Sequence, residues 1–557
     1  MRTNCSLRPP TPPDYKWLAL LLLLPMACDS DSVTEDGAVV PDGAVLADQA
    51  PSPDTVAGPW ANVFKTNPVV DNKQTTQVLL ANITSSTGVL TGKYVDVWNC
   101  LPEPGGPPLQ LMGMTGTLCH VKQQALPGAD GSYLQIKPPD NYVAGNDSFA
   151  EVMMYHHIDT IRRHYSEDFG LKHLDQQAIY ALVNLQGYIN GMNAWMGMPN
   201  AAFSPGGAFL QAVGINVKGD AIVFGFNNSA LTGLPLVNFT YDASVSYHEY
   251  THYTIGGQTL ALTAAPDKYG LSPTPLALNE GLADYFPSSF LDNPRLGDYA
   301  LGNQARDLTE DHRCPADLRG ESHNDGTIPS GALWAARQVL GSTVLDQAVW
   351  NAVLTFTAGT TFDEAAVAIL AEIKKVAPDK HDAIKTIFET RGFAGCVRLV
   401  QHKDFTANPF DPLSGAGYPG TYSVQTSYPD GLPAYLQYKV AIQSTTQEVT
   451  ITYHGEKSST YGSGGTGDVW VALKPGSDAI VYDYSSGAGK HDAKAVLKGA
   501  TDGTNDKLVL SGDCVQQGDL VFQFLNRDNA EGQLTVIKVS QSDTKTNTVD
   551  NFTGCGR

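Results

Sequence analysis

Tyr247-His248-Glu249-Tyr250-Thr251-His252 places two histidines four residues apart, at the spacing of one helical turn. Residues at this spacing lie on one face of a helix, so His248 and His252 can point their imidazoles at a single metal ion, with Glu249 beside them. This H-E-x-x-H pattern is typical of zinc hydrolases. Catalytic zinc takes three protein ligands and one water, so the pattern requires a third ligand from elsewhere in the chain.

The segment Leu278-Asn279-Glu280-Gly281-Leu282-Ala283-Asp284 offers that ligand on a predicted helix downstream of the first. Glu280 is expected to coordinate the ion. Asp284 lies four residues later on the same helix face and can accept a hydrogen bond from the outward N–H of a ligating histidine. The segment therefore predicts both a ligand and a group that orients one.

With these two segments the chain resembles the gluzincin zinc metallopeptidases, the thermolysin-like and especially the fungalysin-like group. The resemblance covers about residues 60 to 395 and also includes Tyr241-Asp242-Ala243-Ser244, ahead of the metal helix. A third matching segment is Glu321-Ser322-His323-Asn324-Asp325-Gly326-Thr327-Ile328-Pro329-Ser330-Gly331-Ala332-Leu333-Trp334. The interval from His252 to Glu280 is closer to the fungalysin-like spacing than to the thermolysin one.

The resemblance implies that His248, His252 and Glu280 are zinc ligands and that Glu249 is the general base. It implies hydrolysis of peptide bonds inside a protein chain by a zinc-activated water. No covalent intermediate is needed, which agrees with the lack of a G-x-S-x-G nucleophile motif.

The resemblance also implies roles around the ligands. Asp284 and Asn279 would orient the two imidazoles, and His323 matches the family histidine that stabilises the oxyanion; it could also be a polar loop residue ahead of a helix. Arg306 is a candidate for the family's cleft arginine. The family's substrate-binding Asn-Ala pair has two matches, Asn200 with Ala201 and Asn193 with Ala194, and both stay open.

Length and charge limit the partners. A chain of 557 residues exceeds one ordinary core, so two or three domains are expected. A formal net charge of -21 argues against a nucleic-acid or anionic-membrane partner, since both need a basic surface. We expect a monomer whose partners are protein or peptide substrates.

Two alternatives stay open: a catalytically inactive binding or surface protein on a peptidase fold, and a zinc aminopeptidase, which usually carries a G-x-M-E-N motif that is absent here.

The first 28 residues predict an export signal, because basic residues precede the short apolar run Trp17 to Leu24. The small residues before Cys28 resemble a bacterial lipoprotein cleavage box, in which Cys28 would be lipidated. Ordinary secretion with cleavage near Ala27 is the alternative. Either way the chain is expected at the bacterial cell envelope or outside it, with membrane attachment only through a lipid on Cys28.

Six cysteines follow the signal segment, and an even number in an exported chain predicts disulfides. Six cysteines allow fifteen pairings. Sequence proximity favours Cys100 with Cys119 and Cys514 with Cys555, which leaves Cys314 for Cys396.

Strand-like segments are followed along the chain by a largely helical part, and this order predicts an α+β protein. A flexible tether is expected over 29–57. The resemblance implies a two-lobed, thermolysin-like metallopeptidase domain over 58–400, with a strand-rich first lobe and a helical second lobe. Alternating apolar and polar segments predict an all-β sandwich over 401–557. Structural calcium is an expectation from the acidic composition and the resemblance, and no EF-hand-like loop assigns it a site.

Local signals set the predicted helix limits. Ser148 with Glu151, and Thr361 with Glu364, have capping-box spacing, and Pro287 is expected to end a helix. These signals predict helices over about 148–165, 276–286, 330–340 and 362–376.

Overall fold

The structure is a computed structural model. It describes residues 58–111, 114–141, 145–229, 233–256, 265–406, 432–457, 466–483, 490–527 and 532–545. The predicted signal segment with Cys28, the tether at 29–57 and Cys555 lie outside these residues. The described chain mixes helices with several sheets, so the α+β prediction is confirmed. Within it, no helix is both long and apolar enough to cross a membrane.

The chain divides into two compact units. In the described chain, one unit contains the residues up to Tyr250 together with Gly297–Ala305. The other contains Thr251–Leu296 and the residues from Arg306 onward.

The first unit is built on a mixed sheet. Its strands, with a separate pair β1 and β2, are β1 (Trp60–Val63), β2 (Thr76–Leu79), β3 (Val95–Leu101), β4 (Pro108–Leu111), β5 (Met114–Leu118), β6 (His120–Lys122), β7 (Ile179–Ile189), β8 (Ala194–Gly197), β9 (Ala201–Ser204) and β10 (Ala221–Gly225). The order is β4-β5-β7-β10-β9, with β3 and β8 also paired to β7. The long, largely buried β7 is parallel to β10, and β9 follows β10 antiparallel as the last strand of this path.

Helix α1 (Ser148–Arg163) begins one residue after Asp147, whose side chain accepts a hydrogen bond from the amide of Phe149. The predicted capping box is therefore wrong, because the N-cap residue is Asp147 and not Ser148. Its second member, Glu151, turns away from the helix end and accepts hydrogen bonds from the Gln124 and Ala125 amides. Glu151 therefore bonds to a distant segment of the chain and not to the backbone at the start of its own helix.

The short helix α2 (Ala208–Ala212) is followed by α3 (Ala243–Gly256), which carries the H-E-x-x-H pattern. Helix α3 begins directly after Asp242 and ends at Gly256. One oxygen of Asp242 accepts from the Ser244 amide at 3.1 Å, and the other accepts from the Tyr299 and Ala300 amides at 3.1 Å each. These bonds fix where the helix starts.

Five helices of the second unit are α4 (Thr274–Leu291), α5 (Ser322–Leu340), α6 (Ser342–Val353), α7 (Phe362–Val376) and α8 (His381–Arg391). The capping box of Thr361 and Glu364 at the start of α7 is confirmed. The other limits are corrected, because α4 continues past Pro287 and α5 contains Pro329 within its span. Burial of nearly the whole of α4 and of the middle of α5 outweighs the hydrogen bond that each proline lacks.

Helices α4 and α5 approach each other closely at two glycines. A Cβ at Gly281 would lie 2.6 Å from the Gly326 carbonyl oxygen and 2.6 Å from Pro329 Cγ. A Cβ at Gly326 would lie 3.0 Å from the Ala277 carbonyl oxygen. The absence of side chains here lets the two backbones meet beside Glu280.

Short strand pairs flank these helices: β11 (Ala265–Asp267) with β12 (Gly270–Ser272), and β13 (Arg295–Leu296) with β14 (Arg306–Asp307). The remaining strands are β15 (Leu399–Gln401), β16 (Phe405–Thr406), β17 (Leu432–Pro433), β18 (Gln437–Ile442), β19 (Glu448–Lys457), β20 (Val469–Pro475), β21 (Tyr482–Asp483), β22 (Lys490–His491), β23 (Ala495–Leu497), β24 (Ala500–Thr501), β25 (Asp506–Ser511), β26 (Gly518–Asn526) and β27 (Gly532–Ser542). We call β15 to β27 the β region.

The β region contains two main sheets, in the orders β15-β18-β26-β20-β23 and β16-β27-β19-β25-β24. They meet where Tyr453 of one sheet contacts Phe524 of the other, with ring centroids 5.2 Å apart. The Tyr453 hydroxyl donates to the Val469 carbonyl at 3.2 Å, across the same boundary.

Two disulfides confirm two of the predicted pairs, Cys100 with Cys119 and Cys314 with Cys396. They are compatible with an exported protein, since disulfides persist in oxidising compartments. The third predicted pair cannot be placed, because Cys555 lies outside the described residues.

Candidate metal centre

Glu280 on α4 is buried, and its Oε2 atom lies near two imidazoles. His252 Nε2 is 3.4 Å away and His323 Nε2 is 3.2 Å away. Ligand atoms at about 2.1 Å from a tetrahedral zinc ion are about 3.4 Å from one another. The spacing around Glu280 is therefore that of ligands that share one ion.

His248 belongs to the same cluster. His248, Glu280 and His323 are all buried, and each offers one ligand atom within 4.8 Å of the others. His248 lies one turn before His252 on α3. This buried group of two imidazoles and a carboxylate could hold a metal ion.

Asn279 orients His252. Its Oδ1 atom lies 2.5 Å from His252 Nδ1, and both side chains are buried. An amide oxygen can only accept a hydrogen bond, so Nδ1 carries the proton and the lone pair is on Nε2, the nitrogen that lies near Glu280. Such outer contacts fix both the tautomer and the ring orientation of a metal-binding histidine.

Glu321 orients His323. Its Oε1 atom lies 2.7 Å from His323 Nδ1, and its carboxylate also accepts the His323 and Asn324 amides at 3.1 and 2.8 Å. Glu321 therefore caps α5 and holds the imidazole at the same time. Burial lowers the pKa of His323, but the carboxylates of Glu280 and Glu321 raise it by more, so the pKa lies above its usual value.

Sequence reasoning did not assign Glu321 a role. Glutamate is an uncommon N-cap, and its position two residues before His323 is the only local signal. Because the carboxylate is fixed by the amides of the second and third residues of α5, its contact with the ring depends on where that helix begins.

Asp284 pairs with Arg306 of β14. The guanidinium donates two hydrogen bonds to the carboxylate, at 2.8 and 2.7 Å, and the Asp284 side chain is fully buried. Burial lowers the pKa of Arg306, and Asp284 raises it by more, so the arginine stays a cation. The sequence assigned Asp284 to a histidine and Arg306 to the substrate; the structure places these two residues together.

Glu249 contacts the last strand of the first unit's sheet. Its Oε2 atom accepts a hydrogen bond from the Phe203 amide on β9 at 2.7 Å. Ala201 begins this strand, and its amide donates to Asn200 Oδ1 at 2.9 Å. Ala201 is thus the first residue of the strand that contacts Glu249, and Asn200 directly precedes it.

The other Asn-Ala pair lies at β8. Asn193 accepts a hydrogen bond from the Tyr188 hydroxyl, and Ala194 begins β8, which pairs with β7. Residue type does not distinguish the two Asn-Ala pairs. The contact of the Phe203 amide could not be recognised from sequence either, because every residue except proline has a backbone N–H.

No protein-family model matches the chain, and no curated protein matches it significantly. The chemistry of the metal centre therefore has to be argued from its own side chains.

Proposed function

We propose that this chain is an exported zinc-dependent endopeptidase of the gluzincin type. The observation that carries the proposal is the buried convergence of His248, His252 and His323 on Glu280, with Glu249 adjacent on the same helix as two of the histidines. Imidazole and carboxylate ligands in a buried site suit zinc. Calcium prefers oxygen ligands alone, so this cluster does not suit it.

The proposed ligands are His248, His252 and Glu280. Zinc bound there would supply a water acidified to near-neutral pKa and a Lewis acid for a peptide carbonyl. Asn279 and Glu321 would hold His252 and His323 in place, so the site needs little rearrangement during reaction.

Glu249 is the proposed proton carrier. It follows His248 directly on α3, and its carboxylate accepts a hydrogen bond from the Phe203 amide. In the proposed role this carboxylate would take a proton from the attacking water and pass it to the departing amine. His323 would donate a hydrogen bond to the oxygen on which negative charge develops.

Strand β9 is the proposed docking strand for substrate. It is the last strand in its sheet path, and the Phe203 amide touches the proposed base. An extended peptide that adds to such a strand is held by its own backbone groups. The scissile bond would then lie beside Glu249.

The test uses the full chain. We expect bound zinc and internal cleavage of an unstructured protein substrate that a chelator abolishes and added zinc restores. Glu249→Gln should retain zinc and lose about 10²- to 10⁴-fold in kcat. The control is Glu310→Gln, which changes an exposed glutamate and should leave kcat unchanged. Full activity in Glu249→Gln would refute the mechanism, and a chain without zinc would refute the site.

His323→Ala separates two roles for that histidine. If His323 is a hydrogen-bond donor, zinc stays bound and kcat falls by about 10²- to 10³-fold, as for other oxyanion donors. Loss of zinc in this variant would instead make His323 a ligand.

A further inference from the structure

The β region contacts the segments that lead into α4 and α5, the helices of Glu280 and His323. Each segment carries a glycine against which the β region packs. Gly270 precedes α4 by four residues, and Gly320 precedes α5 by two.

The turn between β11 and β12 is held by three long polar side chains. Gln523 Nε2 and Gln437 Nε2 donate to the Tyr269 carbonyl at 2.8 and 3.3 Å. Arg398, directly ahead of β15, donates to the Gly270 carbonyl at 3.2 Å. All three of these side chains are buried, and these three bonds go to backbone carbonyls of the turn.

Arg398 also donates to Asp267 Oδ1 at 2.5 Å, which anchors the other end of the turn. There is no room for a side chain at Gly270. A Cβ there would lie 2.7 Å from Gln523 Nε2, 2.8 Å from the Ala434 carbonyl oxygen and 2.9 Å from Pro433 Cβ.

The segment ahead of α5 is held by Tyr435. Its buried hydroxyl donates to the Arg319 carbonyl, and its ring fills the space that a Cβ at Gly320 would need. The Arg319 and Gly320 amides donate to Asp325 at 2.6 and 2.9 Å. Asp325 lies two residues after His323, so the loop, Tyr435 and the first turn of α5 form one connected set of hydrogen bonds.

We propose that the β region is a positioning element of the metal centre, which sets the location of Glu280 relative to His323. The β region contacts the segments ahead of both helices through their backbone carbonyls and through Gly270 and Gly320. A shift of the β region therefore moves both segments. This inference rests on the proposed metal site. It assigns Tyr435 and Gln523 a role in metal affinity although neither contacts the ligands.

The test compares matched variants of the full chain by zinc affinity, measured by competition with a chromophoric chelator. Tyr435→Phe removes the hydroxyl bond to Arg319, and Tyr453→Phe removes a buried hydroxyl whose bonds lie within the β region. The backbone of α5 meets that of α4 at Gly281, the residue after Glu280, so a shift of α5 also moves this proposed ligand. We therefore expect zinc to bind about three- to tenfold more weakly to Tyr435→Phe and with unchanged affinity to Tyr453→Phe.

A second pair uses glycines with the same backbone angle. Gly270 has φ +114° and Gly476 has φ +112°, but a Cβ at Gly476 would meet nothing within 4 Å. Gly270→Ala should weaken zinc binding about tenfold or more, whereas Gly476→Ala, which carries the same backbone strain, should not. Should Gly270→Ala fail to fold, the Tyr435 pair decides alone.

A role limited to stability would lower the unfolding temperature of these variants and leave the zinc dissociation constant of the folded chains unchanged. That result, with tight zinc binding in the wild type, would overturn this inference alone. A wild type that binds no zinc would overturn the proposed function and the inference with it. If zinc binding and the packing of these two segments are coupled, zinc should slow amide hydrogen exchange at Gly270 and Gly320. Unchanged exchange would contradict the inference.

Discussion

At the scale of single residues, the ion pair of Asp284 and Arg306 lies one helical turn after Glu280. A fully buried carboxylate is costly unless its charge is compensated, and Arg306 compensates it with two parallel hydrogen bonds. Removal of one partner leaves the other charge buried, which generally costs more than the pair itself contributes.

Arg306→Met should therefore lower the free energy of unfolding by about 3–5 kcal/mol, because Asp284 stays buried. Arg295→Met is the matched control. Arg295 pairs with Asp307 at 3.2 Å, but its side chain is 48% exposed, so its loss should cost under about 1 kcal/mol. Urea unfolding of the apo chains measures both changes, and equal losses would show that Arg306 does not compensate a buried charge.

Residue spacing predicted which side chains could converge, since His248, His252 and Glu280 were named from intervals of four and from a second helix. It could not assign Glu321, whose carboxylate reaches His323 only because it also caps α5. The Phe203 amide could not be recognised either, because its contact with Glu249 exists only once β9 is folded against α3.

At the scale of elements, the start of α1 buries two acids. Burial raises the pKa of Asp147 to about 6 and that of Glu151 to about 7. Hydrogen bonds from Tyr241 to Asp147 and from Asn99 to Glu151 oppose this shift and are too weak to cancel it. The folded chain therefore binds protons here that the unfolded chain has released.

Stability should fall as the pH rises from about 4.5 to about 7. Both pKa values are higher in the folded chain, so the folded state holds more protons in this window and the stabilisation is lost on deprotonation. Glu151→Gln should reduce the slope, by at most about 3 kcal/mol over the window. Urea unfolding at pH 4.5, 5.5 and 7.5 measures it, with exposed Glu103→Gln as the control. A slope unchanged by Glu151→Gln would contradict this assignment.

Local rules succeeded where an element depends on local contacts. The box of Thr361 and Glu364 is closed within four residues, and α7 has the predicted limits. Pro287 failed as a helix end because the turn that contains it is buried, and packing outweighs one missing hydrogen bond. The start of α1 failed for the same kind of reason, since Glu151 found partners in a distant segment.

At the scale of the whole molecule, the two disulfides close loops of different length. Cys314 and Cys396 are 82 residues apart, and Cys100 and Cys119 are 19 apart. A cross-link restricts the unfolded chain more when the loop is longer, by an amount that grows with the logarithm of loop length.

Replacing Cys314 and Cys396 by serine should lower the free energy of unfolding by about 4 kcal/mol, and replacing Cys100 and Cys119 by about 3 kcal/mol. Guanidinium unfolding of the two double variants measures the difference. A larger loss for the shorter loop would show that local packing, and not chain entropy, sets the effect.

The α+β class could be predicted from the order of strand-like and helical patterns along the sequence. The two disulfides could be predicted from the order of the cysteines. The composition of the compact units could not. Gly297–Ala305 belongs to the first unit although the residues on both sides belong to the second. Asp242 holds this segment through the Tyr299 and Ala300 amides, and no local pattern announces such a return.

The bond between Cys314 and Cys396 also has a consequence for where the protein matures. It ties the segment that leads toward α5 to the segment just ahead of Arg398, which holds the β11–β12 turn. Thiols stay reduced in the cytoplasm, so under the proposed export this disulfide would form only after the chain has left it. For the exported peptidase proposed above, the support of the candidate metal site would then be completed only outside the cytoplasm, away from the proteins there.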